Sequence, residues 1–167
     1  KGIACATGDI IGTLHSDDRY ASPDVLKLVA QAFDDPLLDA CYADLVYVDR
    51  SGDNRVVRYW KSSDYRPGLF EKGWMPPHPT FFTRRLCYQR YGTYRLDLGT
   101  SADYELMLRY LRCHKMRAAY LPHLFVMMRT GGVSNISLAR RLAAHCMDWK
   151  AWLVNGLIPY PWTLPCK

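Results

Sequence analysis

The sequence predicts an α/β domain built on a mixed sheet flanked by helices, and three observations carry that prediction. Strand-like and helix-like patterns alternate along the chain. About half of the residues are hydrophobic and 23% are charged, an ordinary globular balance. The 167 residues suffice for one domain with a substantial core.

The elements follow in order. Lys1-Gly2-Ile3 reads as the end of a helix. Ile10–Leu14 is an apolar strand, with Ile10, Ile11 and Leu14 expected to be buried. Ser22-Pro23-Asp24 opens a helix: a serine cap, proline at the first helical position and an early acid. Val25, Leu28, Val29, Ala32 and Phe33 then keep helical spacing, and Asp34-Asp35-Pro36 stops it. Ala40–Val48 and Arg55–Trp60 read as paired strands around the turn-rich Arg50-Ser51-Gly52-Asp53-Asn54. Thr80–Thr83 is a short strand and Arg84–Tyr91 a helix stopped by Gly92. Ala102–Cys113 is a stronger helix. Met116–Leu121 and Leu124–Met128 read as two strands. Leu138–Val154 is a long amphipathic helix with Leu142, Cys146, Trp149 and Leu153 along its apolar stripe. There is no internal repeat and no low-complexity linker.

Composition excludes some classes. No run approaches the ~18–20 apolar residues that cross a bilayer, and no signal-peptide pattern opens the chain. The six cysteines form no C-x-x-C pair, which argues against a zinc site and for reduced thiols in the cytoplasm. The net charge of +6 gathers at Arg84-Arg85, Arg109 to Arg117 and Arg140-Arg141. It suits either a solvated surface or attraction to an anion, such as a nucleotide diphosphate or an anionic membrane. No nucleic-acid motif accompanies it. Arg140-Arg141 and the aromatic end of the chain (Trp152, Leu153, Leu157, Ile158, Tyr160, Trp162) fit core packing, or peripheral attachment to the inner face of a membrane.

The motif richest in chemistry lies near the start. Ala6-Thr7-Gly8-Asp9-Ile10-Ile11-Gly12-Thr13-Leu14-His15-Ser16-Asp17-Asp18 runs a buried strand straight into two adjacent carboxylates. Hard divalent cations prefer such oxygens, and Mg²⁺ typically takes one or two carboxylates plus substrate phosphates. A polar turn is the plainer alternative. Asp34-Asp35, the same dipeptide in a helix-ending loop, is the internal control.

This segment resembles the metal-binding stretch of family 2 glycosyltransferases, inverting enzymes of the GT-A (Rossmann-like) fold that build bacterial surface polysaccharides. The resemblance continues through Asp44-Leu45-Val46-Tyr47-Val48-Asp49, Pro77-His78-Pro79-Thr80-Phe81-Phe82, Ala102-Asp103-Tyr104-Glu105-Leu106-Met107-Leu108-Arg109 and Met128-Arg129-Thr130-Gly131-Gly132-Val133-Ser134, to about Leu157. Each motif is weak alone; their order and spacing are specific. The resemblance implies a partial catalytic domain over residues 1–157 and a tail over 158–167. The first strand–helix–strand unit, roughly 70–80 residues on the scale of such domains, is missing. The chain is then a piece of a longer protein, or is completed by an N-terminal segment or a second copy, and an exposed sheet edge is expected.

The resemblance also implies site residues. Asp17 is the leading ligand for Mg²⁺ or Mn²⁺ and Asp18 its neighbour. His15 stands where the family often has an acid, and can hydrogen-bond a sugar or ligate a metal. Asp103 matches the catalytic base that takes the acceptor hydroxyl's proton. Its local alternative is a capping box, Thr100-Ser101-Ala102-Asp103, with the helix dipole favouring an acid there. His78, on a proline-stiffened loop, and the Trp74 ring are candidate substrate contacts, against a loop histidine and a packed tryptophan. Arg129 would balance diphosphate charge, beside a Gly131-Gly132 turn that either closes over the phosphates or merely leads into a helix.

The function so implied is transfer of a sugar from a nucleotide-diphosphate donor to a saccharide or lipid-linked acceptor. Two rivals remain: a sugar nucleotidyltransferase, and a non-catalytic, incomplete domain that binds a partner or membrane.

Overall fold

A computed structural model describes residues 1–49, 55–131 and 138–165, with the backbone alone for 138–142. The turn 50–54, Gly132-Val133-Ser134, Cys166 and the side chains of Arg140, Arg141 and Leu142 lie outside the described residues. The chain forms two compact units: residues 1–65, 76–92 and 116–130, and residues 66–75, 93–115 and 131–167.

The first unit holds α1 (Gly2–Cys5), β1 (Ile10–Gly12), β2 (Arg19–Tyr20), α2 (Val25–Ala32), β3 (Ala40–Val48), β4 (Val56–Trp60), β5 (Phe82–Arg84), α3 (Arg85–Tyr91) and β6 (Ala118–Arg129). Its sheet is mixed, in the order β1-β5-β3-β6-β2, with β4 also paired to β3. β3 is buried almost throughout, as a central strand must be. Val25 and Val29 of α2 and its C-cap residue Phe33 join Cys41, Ala43, Leu45, Phe82, Phe125 and Val126 in the core. Ile11 is buried, but Leu14 lies beyond the end of β1 and is 40% exposed.

Side chains hold the chain as it enters and leaves α2, although the N-cap residue, Asp24, makes no side-chain capping bond. The Ser22 hydroxyl accepts the Asp24 N–H at 3.1 Å, and regular helix begins at Val25. At the other end Arg84 donates to the carbonyls of Phe33, Asp35 and Leu38 at 3.1, 2.9 and 2.7 Å. It also stacks on the Phe33 ring. Arg84 is therefore a helix cap and not part of a surface field.

Two expected strands prove to be one. β6 runs from Ala118 to Arg129, and its register against β3 passes from Ala43↔Leu121 to Asp44↔Leu124. Pro122 and His123 are thus the extra residues of a bulge, which is how a strand carries a proline that cannot donate to the ladder. At that irregularity the buried Asp44 carboxylate accepts from Tyr120 Oη (2.8 Å), Tyr59 Oη (2.9 Å) and Ser62 N–H (2.8 Å). The expected strand Thr80–Thr83 is a 3₁₀ turn at His78–Thr80 followed by β5.

The second unit holds α4 (Ala102–Met107), which widens into a π turn at Leu108–Cys113, and α5 (Leu138–Leu153). The expected stripe of α5 faces outward: Cys146, Trp149 and Leu153 are exposed. Asp148, Ala151 and Trp152 are buried instead, at the i, i+3, i+4 spacing of one helix face. The Trp152 indole N–H donates to Tyr104 Oη at 2.8 Å, and that bond settles which face turns inward. Beyond α5, Ile158, Tyr160 and Trp162 are exposed, so core packing does not account for them. Among the described residues no helix is long and apolar enough to cross a membrane.

Candidate functional site

β1 and β3 both run antiparallel to β5, and β3 runs parallel to β6. The three strands β1, β3 and β6 therefore share a direction, and their carboxyl ends lie along one side of the sheet. Open α/β sheets bind ligands in the crevice outside such ends. Residues 13–18 leave β1 there. The Asp18 N–H donates to the His15 carbonyl at 3.1 Å, closing a tight turn through Ser16-Asp17. β2 follows at once and pairs with the end of β6, Arg19 opposite Met127. The turn is anchored at both ends, which fixes where the two carboxylates stand.

A cleft of about 180 Å³ opens at this point, lined by Ser16, Asp17, Asp18, Arg19, Val48, Met127 and Arg129. Asp17, Asp18 and Arg129, separated widely in sequence, meet in it. Burial pushes the Asp18 carboxyl above its ordinary value, against the opposing pull of His15, the Arg129 backbone N–H and His78, while Asp17 adds repulsion. Among the described residues Asp18 Oδ2 is buried without a hydrogen-bond partner. An orphaned buried carboxylate oxygen is costly, and a cation is the ligand that such an atom suits. The control dipeptide behaves otherwise: Asp35 Oδ1 accepts the Leu37 N–H at 2.8 Å, and Oδ2 faces Arg117 at 3.4 Å. The Asp35 carboxylate thus finds its partners within the described residues, where Asp18 Oδ2 does not. Among the described residues no three His, Cys, Asp or Glu side chains enclose a metal ion. A cation here would take its remaining ligands from substrate or water, as Mg²⁺ does on phosphates.

His15 and His78 meet beside these acids. Their Nε2 atoms are 3.1 Å apart and their rings stand edge to face, at 71°. His78 is placed by its neighbour Thr80, whose hydroxyl accepts the Ala43 N–H at 3.1 Å and lies 3.0 and 2.8 Å from the carbonyls of Ala43 and Pro77. That buried hydroxyl ties the proline-framed turn to β3. Sequence reasoning named both histidines but not their contact, because nothing local links residues 63 positions apart.

Asp103 and Trp74 belong to the second unit. The helix cap of α4 is Ser101, with no side-chain capping bond, so the expected capping box at Thr100 does not form. The Asp103 carboxylate instead accepts the Tyr104 N–H at 2.8 Å. The kink at Gly99, with φ 51° and ψ −120°, sets the approach to the helix and displaces the expected cap. Glu105 is fully buried. It takes a two-bond pair from Arg109 (2.8 and 3.2 Å) and a bond from Asn155 Nδ2 (3.0 Å), a structural set of partners. The half-buried Trp74 packs edge-on to Phe70 at 5.7 Å. Gly131 adopts φ 93°, which an L side chain resists.

Among the described residues the basic side chains of the first two clusters are largely consumed within their own units. Besides Arg84 and Arg109, Arg112 pairs with Glu71 at 2.7 Å and Arg117 with Asp35 at 3.4 Å. Arg129, exposed at the cleft, is the sequence-predicted anion-facing arginine that the fold delivers to the acids.

No protein-family model matches the chain. Over 114 residues the chain is 34% identical to an uncharacterized glycosyltransferase of Mycobacterium tuberculosis strain CDC 1551. It is equally similar to one of strain H37Rv. The match covers 65% of this chain and 41% of each relative, so the chain spans less than half of the relatives' length. It is a distant relative of proteins named as glycosyltransferases.

Proposed function

We propose that this chain is part of an inverting, metal-assisted glycosyltransferase of the family 2, GT-A type. It moves a sugar from a nucleoside-diphosphate donor, a UDP-sugar, to a saccharide or lipid-linked acceptor in the making of bacterial surface polysaccharide. The observation that carries this reading is the cleft at the carboxyl ends of β1, β3 and β6, where Asp17, Asp18 and Arg129 converge beside a buried carboxylate oxygen that has no partner among the described residues. The name of the distant relative supports the same chemistry at a coarse level.

Asp17 and Asp18 are the residues that would hold Mg²⁺ or Mn²⁺. Such an ion neutralises charge on a leaving diphosphate as a Lewis acid. Arg129 adds a fixed positive charge beside the phosphates. Asp103 is assigned as the base that holds the acceptor hydroxyl and takes its proton as that oxygen attacks the anomeric carbon. His15 is assigned to the donor, and His78 and Trp74 to substrate contact.

Calorimetric titration of the chain with UDP, with and without Mn²⁺, tests the reading. Metal-dependent binding that disappears in Asp17→Ala supports it. UDP binding that is indifferent to both the metal and Asp17 overturns it.

A further inference from the structure

In the second unit, α5 and its surroundings set six large apolar side chains against solvent. Leu96 is 89% exposed and Ile158 80%, while Trp149, Leu153, Tyr160 and Trp162 stand between 41% and 55%. Single exposed apolar residues are ordinary, but a group of this size marks an interaction surface. Trp149 and Leu153 lie four residues apart on α5, on one face. Leu96 precedes Asp97, whose carboxylate meets Lys150 Nζ at 3.6 Å. Ile158 follows Leu153 across a tight turn, where Gly156 takes φ 69° and the Leu157 N–H donates to the Trp152 carbonyl at 3.0 Å.

The segment after α5 is held in place. The fully buried Thr163 donates its hydroxyl to the Glu71 carbonyl at 2.7 Å, and Leu164 is buried beside it in sequence. Pro159 and Pro161 stiffen the stretch between. The Tyr160 and Trp162 rings stack at 4.9 Å with their planes 8° apart. These anchors hold the rings outside the core.

Charge decides what covers this face. Residues 138–167 contain four basic residues, Arg140, Arg141, Lys150 and Lys167, and one acid, Asp148. Asp148 is buried. Asp97, the acid beside Lys150, is also paired with Arg95 at 3.1 Å. A second copy seated here would set like charge against like, on a chain of net charge +6. An anionic lipid surface fits both properties. It attracts the basic residues, and it takes up tryptophan and tyrosine at headgroup level, where the ring is apolar and its N–H or O–H stays wet. A helix with an exposed apolar stripe and basic residues in its first and last turns lies in that plane without crossing it.

We infer that the outward face of α5 and the segment 158–162 dock this chain on a bilayer surface that contains anionic lipid. The inference does not depend on the metal–diphosphate reading of the cleft.

The test is cosedimentation of the 167-residue chain with vesicles of phosphatidylcholine alone, or of phosphatidylcholine mixed with phosphatidylglycerol. Brominated acyl chains in the same vesicles report tryptophan insertion by quenching. The expected result is binding to the mixed vesicles with quenched tryptophan emission. Binding should be at least 10-fold weaker on phosphatidylcholine alone and should fall with added salt. Trp149→Ser with Trp162→Ser should weaken binding at least 10-fold and abolish the quenching. Arg140→Gln with Arg141→Gln should weaken it about 10-fold. Both pairs should leave the thermal melt unaltered. If the tryptophan pair unfolds the chain, Ile158→Asp probes the same face and should cost the same 10-fold. No binding to the mixed vesicles by the folded chain, equal binding to both compositions, or binding that survives these variants overturns the inference. Self-association in sedimentation velocity that the same variants abolish assigns the face to a second copy and overturns it likewise.

Discussion

Gly12 lies opposite Phe82 in the β1–β5 ladder, and the Phe82 ring fills the space that a Cβ on residue 12 would occupy. Phe82 is 4% exposed and belongs to the core of the first unit, so the ring has nowhere to go. Gly12→Ala should cost about 1–3 kcal/mol as an overpacking substitution. Chemical denaturation measures it directly, and an unchanged midpoint would mean that the ring is free to move.

The Glu105–Arg109 pair gives a second prediction. Glu105 is fully buried, and the Arg109 side chain is 13% exposed. Removing one partner leaves a buried charge uncompensated, which typically costs about 3–5 kcal/mol. Arg109→Met should lose that much in a denaturant titration. Replacing both residues, as Glu105→Leu with Arg109→Met, should recover a large part of it.

Asp103→Asn should lower glycosyl transfer about 10²–10⁴-fold, the range of a lost general base, in this chain or in any longer protein that carries it. Asparagine keeps a side-chain oxygen that can accept the Tyr104 N–H as the carboxylate does at 2.8 Å, so the variant should melt close to the parent. Normal turnover by Asp103→Asn would remove Asp103 from the reaction.

His114 carries a pH prediction. Burial, helped by the Arg109 guanidinium, holds its imidazole below the ordinary value of 6.5. Just under that pH the unfolded chain takes up a proton that the folded chain resists. Stability therefore falls as pH drops through that window and is flat with respect to this group above it. The effect is small because the side chain is exposed. A proton NMR titration should place the His114 midpoint below that of an unfolded peptide, and His114→Gln should flatten the slope.

Elements with purely local signals were legible in the sequence. The largely apolar run Ala40–Val48 is the strand of the same bounds. The Val25, Leu28, Val29 spacing is α2, and the glycine after Tyr91 ends α3 at φ 83°. The acids at 17 and 18 and the arginine at 129 were picked out by a family resemblance, and the structure brings them to one cleft. The illegible parts depended on partners far away. Pro122 looked like a break between two strands, and only pairing with β3 absorbs it as a bulge. The stripe of α5 looked apolar at Cys146, Trp149 and Leu153, yet the bond from Trp152 to Tyr104 turns the neighbouring face inward. Thr100 looked like a cap, and the Gly99 kink moved the helix start to Ser101.

By itself, then, the sequence determined the alternation of strands and helices, the mixed α/β class and the residue types available for chemistry. Those follow from side-chain periodicity and turn preferences, which act within a few residues. The tertiary structure alone decided that, among the described residues, Asp18 keeps an oxygen without a partner while Asp35 does not, that Arg84 closes a helix instead of facing solvent, and that His15 meets His78. Each of these depends on which buried polar atoms find partners across the sheet. That is set by strand register and desolvation, over separations at which a linear sequence carries no signal.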